Sequence, residues 1–173
     1  MCQIHTAARV ARSSTVRRLS MAVAQITIRH AVASERESLE AIQWRASLNN
    51  PGDRAALMAN PDAVELPRGQ IERGGVFVAE VASSLKGWAA ILPRNDGDVE
   101  LDALFVEPEV WGRGIGAALV ERCIVEAQAS GATLLRVVGN PHAEGFYRKC
   151  GFEILGEMQM RFGTGLVMKR DLK

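Results

Sequence analysis

Apolar residues in this chain alternate with a period of two in some stretches and recur on a 3.6-residue period in others. The order of these two patterns predicts the elements. Gln25 to His30 sets Ile26 and Ile28 against Thr27 and Arg29, a short strand. Ser34 reads as an N-cap, with Glu35 and Glu37 in the first turn of a helix through about Leu48. Asn49-Asn50-Pro51-Gly52 ends it, and from there to Gly75 the pattern weakens. Pro61, Pro67, Gly69 and Gly74-Gly75 punctuate short helical pieces such as Arg54 to Met58, so a mobile, surface-building segment is expected. Val76 to Val81 and Gly87 to Leu92 read as strands joined by a Ser83-Ser84 turn, and Asn95-Asp96-Gly97-Asp98 is a hairpin signal.

The next stretch, Glu100 to Ala117, organises the rest. Leu101, Ala103 and Phe105 alternate with Glu100, Asp102, Leu104 and Val106, which predicts a strand with both carboxylates on one face. Pro108 stops it. Gly112, Gly114 and Gly116 then alternate with Arg113 and Ile115, and a helix begins at once, with Gly116, Val120, Cys123, Ile124 and Ala127 on one face. A glycine turn opening a helix offers unpaired N–H groups at the positive end of the dipole, a place for an anion. Ser130-Gly131 reads as the C-cap, and Thr133 to Val138 as a buried strand, completing a βαβ unit with a right-handed crossover. After Asn140-Pro141 comes a short helix, His142 to Cys150, closed by Gly151. Phe152 to Gly156 and Leu166 to Asp171 are the last strands, joined around Gly163-Thr164-Gly165. Antiparallel strands, a βαβ unit and a final hairpin give an α+β fold: a mixed, mostly antiparallel sheet flanked by helices.

Length and composition narrow the function. At 173 residues the chain is expected to hold one domain, residues 23–173, behind a disordered basic extension, residues 1–22. Met1 to Ser20 carries Arg9, Arg12, Arg17 and Arg18 and no acid, which also fits an organelle transit peptide, and Met21 is an alternative start. A net charge of +1 and few aromatics give no case for nucleic acid or an anionic membrane as partner. Cys2, Cys123 and Cys150 have neither disulfide-framework nor zinc-ligand spacing, so no metal and a reducing, cytoplasmic setting are expected.

The glycine turn lacks the G-x-G-x-x-G spacing of a dinucleotide fingerprint and the Gly-Lys-Ser/Thr of a Walker loop. VEPEVWGRGIGAALV, followed by NPHAEGFYRKCGF, resembles the GNAT superfamily of N-acetyltransferases. The resemblance runs from about Ile26 to Leu172 and is most specific over Glu100 to Phe152. It implies a sheet splayed at the βαβ unit and acetyl-CoA as cosubstrate. It implies that backbone groups of Leu104, Phe105 and Val106 pair with the pantetheine arm. Gly112, Arg113, Gly114, Ile115, Gly116 and Ala117 would hold the pyrophosphate, and Asn140 would bind the arm from the second strand. Trp111 stands where the family carries Gln or Arg, a departure expected to weaken or rearrange the phosphate contacts without losing the site, because the loop grips mainly through backbone N–H groups.

Tyr147, the only tyrosine in the chain, matches the family's acid that protonates the departing thiolate. Glu100 matches the strand glutamate that takes the proton of the amine, with Asp102 as a second candidate or a holder for the cation. Reaching the free amine at pH 7 costs about 4 to 5 kcal/mol, so a base helps without being obligatory. His142 reads as a helix-end residue, Cys123 and Cys150 as packed and inert. Arg148 and Lys149 would either reach CoA phosphates or solvate the short helix. The implied reaction is direct attack of a small-molecule or peptide amine on the thioester in a ternary complex. A CoA-binding module without turnover is the alternative. The acceptor's identity stays open, and so does a homodimer.

Overall fold

The computed structural model describes residues 25–50 and 53–173, so the extension expected over residues 1–22 lies outside the described residues. Strands β1 (Ile26–His30), β2 (Val76–Val81), β3 (Ser84–Pro93), β4 (Val99–Val106), β5 (Leu134–Gly139), β6 (Glu153–Met160) and β7 (Gly163–Asp171) form one sheet. Their order is β1-β2-β3-β4-β5-β7-β6. Helices α1 (Arg36–Asn49), α2 (Asp53–Ala59), α3 (Arg68–Glu72), α4 (Ile115–Ala129) and α5 (Glu144–Lys149) flank it.

Neighbouring strands run antiparallel except β4 and β5. That parallel pair covers only Val99↔Leu135, Glu100↔Arg136 and Leu101↔Val137. Beyond it, β4 stays with β3 as far as Val106↔Gly87, and β5 stays with β7 as far as Gly139↔Leu166. The sheet therefore splits into a V between β4 and β5, as the family resemblance implies.

The split begins at a β-bulge. The register of β4 on β3 passes from Ile91↔Leu101 to Ala90↔Ala103, leaving Asp102 as the extra residue. A bulge bends its strand and increases its twist. It also moves side chains between faces: Leu101 packs in one core while Ala103 and Phe105 pack against the other. The simple alternation expected of this strand fails at that residue.

Helix α4 buries Ile115, Leu119, Val120, Cys123, Ile124 and Ala127, a stripe that packs on Phe77, Leu135 and Met168. On the other face, Leu39, Ile42, Leu66, Ile71 and Trp88 make a second core beneath α1 and α3. The Trp88 indole donates to the Leu39 carbonyl at 2.8 Å, so its one polar group is satisfied while the ring is buried. Truncating such a tryptophan costs about 3 to 5 kcal/mol.

Several boundaries differ from expectation. Ser34 makes no cap; Glu35 reaches back to the Val32 N–H at 2.9 Å instead. The hairpin turn is Ala82-Ser83, both at positive φ (49° and 62°), and β3 starts at Ser84. Residues 53–75 are more than surface: Leu57, Leu66, Gln70 and Ile71 are buried. The last hairpin is longer than its apolar pattern suggests, because β6 is exposed along most of its length and so lacks the alternation that marks a half-buried strand.

Candidate active site

The V opens into a cleft of about 640 Å³ lined by β4, the glycine turn, α5 and the end of α1. Strand geometry decides which backbone groups face it. Glu107 N–H donates to the Lys86 carbonyl at 2.8 Å, and Phe105 lies opposite Trp88, so both turn their backbone groups toward β3. By alternation Leu104 and Val106 turn theirs into the V. Phe105, expected in the same row, turns its backbone groups to β3, though the residue still lines the cleft and its ring lies 5.3 Å from that of Trp88.

At the end of β4, the Trp111 indole N–H donates to the Val106 carbonyl at 2.7 Å while the ring stays 48% exposed at the cleft. The glycine turn follows. Trp111 N–H reaches Pro108 and Ala118 N–H reaches Gly114, but the N–H groups from Gly112 to Ala117 have no backbone acceptor among the described residues. Gly112 and Gly114 have φ of 77° and 83°, the left-handed region that side chains avoid, and a Cβ built on either meets nothing within 4 Å. A row of free donors at the start of the α4 helix, open to the cleft, fits a pyrophosphate. Arg113 is exposed beside this turn and is absent from the cleft lining.

Tyr147 lies in the cleft wall, 8% exposed, edge-on to Phe146 at 5.2 Å and to Phe152 at 5.5 Å. Its ring presses so closely on β5 that a Cβ at Gly139 would stand 2.6 Å from Cε2. Only glycine leaves that room. Burial pushes the phenol above its usual range, with no hydrogen bond among the described residues to offset it, so the hydroxyl keeps its proton.

The carboxylates sit at the other end of β4. Glu100 accepts from Arg94 at 2.9 Å, and Asp102 accepts from the Gln70 amide at 3.0 Å. Neither belongs to the cleft lining. Asn140 also lies outside it: its oxygen accepts from the His142 N–H at 2.9 Å, and its amide donates to Asp53 at 2.9 Å, tying the start of α2 to the end of β5. His142 is the exposed helix-end residue expected. Cys123 is buried, its thiol pushed up to about 12 by desolvation, and Cys150, which lines the cleft, is raised for the same reason, so both hold the proton more firmly than a free cysteine. Arg148 pairs with Glu144 at 2.7 Å, whereas Lys149 lines the cleft. A shallower pocket of about 300 Å³ around Cys150, Arg170 and Asp171 contains no residue of the glycine turn.

Sequence reasoning missed two sets of residues. Ala46, Ser47 and Asn50 bring the end of α1 to the cleft. Arg45, on the same helix, grips the buried Glu107 with two nitrogens, Nε lying 3.2 and 3.1 Å from its oxygens. The partners are 62 positions apart, and no local pattern joins them. Gln70 is the other omission, a buried glutamine in a helix too short to show a period.

Residues 37–152 match the Acetyltransferase (GNAT) family. The peptidyl-lysine N-acetyltransferase YjaB of Salmonella typhimurium is 31% identical over 143 residues, which span 78% of this chain and 88% of the relative. A GCN5-related N-acetyltransferase structure from Rhodopseudomonas palustris superposes with a TM-score of 0.69 at 18% identity, covering 84% of this chain and 94% of that one. The structure of yncA from Salmonella typhimurium with acetyl-CoA gives 0.65 at 22% identity, covering 86% and 95%. With the splayed sheet, the glycine turn at the head of α4 and the family match all in one stretch of chain, this protein belongs to the GNAT superfamily of N-acetyltransferases.

Proposed function

We propose that this chain moves the acetyl group of acetyl-CoA to a primary amine by direct attack within a ternary complex. The observation that carries the reading is the row of inward-facing backbone groups of Leu104 and Val106 in the V, where the Val106 carbonyl already accepts from the Trp111 indole, followed by the free N–H groups of Gly112 to Ala117. That row matches a pantetheine arm followed by a pyrophosphate. Leu104 and Val106 orient the arm, the glycine turn anchors its charged end, and much of the rate comes from holding the two reactants together. Tyr147 is the proton donor to the departing thiolate; burial keeps its proton in place at neutral pH and also makes it a weaker acid than a free phenol, so it gives the proton up only as charge develops on the sulfur. Glu100, which pairs with Arg94 at 2.9 Å, takes the proton that the ammonium must lose before attack.

A lysine side chain in a peptide is the acceptor to try first, because the Salmonella relative is named a peptidyl-lysine N-acetyltransferase. Purified protein with acetyl-CoA and a panel of amines should release free CoA thiol. Tyr147→Phe should lower kcat about 100-fold while leaving CoA affinity within twofold. Tight CoA binding with no thiol release for any amine would leave a CoA-binding module without turnover.

A further inference from the structure

Among the described residues the buried polar side chains are Gln70, Asp98 and Glu107. Asp98 answers Arg136 at 3.1 Å, and Glu107 answers Arg45, so each pairs with a cation that ties two elements together. Gln70 does something else. It is 4% exposed, and its amide nitrogen donates to Asp102 Oδ2, a carboxylate that is itself open to solvent. The bond satisfies a buried amide that would otherwise be left unpaired, while the exposed carboxylate could find water instead. It also fixes the direction of that carboxylate.

Gln70 can aim because it is fixed. Its N–H donates to Pro67 at 2.9 Å, and its carbonyl accepts from Gly75 at 3.2 Å. Asp102, in turn, is the bulge residue of β4, the first position past the last β4–β5 pair, at the apex of the V. Glu100 is differently placed. Arg94 bonds it, so a guanidinium group attends it already. Of the two β4 carboxylates, Asp102 is the one without a cationic partner among the described residues.

We propose that Asp102 docks the ammonium of the acceptor at the apex of the V and that Gln70 is the positioning residue that aims it, so the chain selects acceptors arriving as cations. The inference rests on the acetyl-transfer reading only for the reaction that follows docking. Docking makes and breaks no covalent bond: the ammonium binds, then gives up its proton before attack.

The test uses spermidine and a lysine-containing peptide as probes with the full chain. Asp102→Asn should raise the amine KM at least about tenfold, with kcat within threefold and the acetyl-CoA KM within twofold. Gln70→Met, which keeps the buried volume, should shift the amine KM in the same direction by less. The double variant should be no worse than Asp102→Asn alone, because the glutamine acts through the aspartate. An unchanged amine KM in Asp102→Asn, or equal losses for both substrates, overturns the proposal. If the wild-type chain acetylates neither probe, the transferase reading is in question while docking is still measured, by calorimetry of each amine with the CoA-saturated protein. Affinity about ten times weaker in Asp102→Asn then supports the proposal; equal affinity, or no binding to the wild type, overturns it.

Discussion

The two sides of β4 are made of different material. Toward α4, the cleft is built from main chain: the inward groups of Leu104 and Val106, then the free N–H groups from Gly112 to Ala117. Toward α1 and α3, the strand is braced by side chains that meet over long sequence separations, Arg45 with Glu107 and Gln70 with Asp102. A main-chain site depends on backbone conformation and is indifferent to most side chains. A side-chain site depends on each partner being what it is. A main-chain grip is expected to tolerate Trp111 where the family resemblance calls for Gln or Arg, whereas the side-chain pairs should not tolerate loss of a partner.

Three substitutions would break or sharpen the contrast. The largest effect is expected from Gly114→Val. It places a β-branched residue at φ 83°, strained by about 1 to 3 kcal/mol, and distorts the row of donors. The acetyl-CoA KM should rise roughly 100-fold in thiol-release kinetics, with the amine KM nearly unchanged. Next comes Arg45→Ala, which strands the buried carboxylate of Glu107 and should cost about 1 to 3 kcal/mol. Calorimetric Tm should fall by about 5 °C. A fall smaller than 1 °C would mean that the side-chain side is less dependent on its pairs than the geometry says. The smallest effect is expected from Trp111→Ala, with acetyl-CoA KM changing less than about threefold, since the grip there is main chain. A thirtyfold loss would erase the contrast.

The same division governs what could be read from the sequence. The glycine turn, the strand before it and the helix after it are neighbours in the chain, so their spacing alone exposes the cleft's main-chain side. Tyr147 is legible for the same reason, lying next to Phe146 in a short helix with a clear glycine stop. The bulge at Asp102 is not legible, because it exists only where β4 meets β3, and without it Leu101 and Ala103 would be placed on one face. Gln70 and Arg45 were hidden because their meaning lies in partners 32 and 62 positions away. Asn140 was legible as a residue of the region, but its bond to Asp53 was not, because that partner lies 87 positions away.

The V has a consequence for the life of the protein outside catalysis. By parting at Leu101, β4 and β5 give the sheet an edge in its middle as well as at its two ends. Exposed edges invite strands from other chains, and proteins blunt them with bulges and covering groups. Here the bulge at Asp102 bends the inner edge, α5 stands over it, and the Trp111 indole plugs the last carbonyl. An arm lying along Leu104 and Val106 would close the remainder. Cosubstrate supply should then set solubility as well as rate: cells starved of it would hold this enzyme with its inner edge bare, more prone to adhere to its own copies.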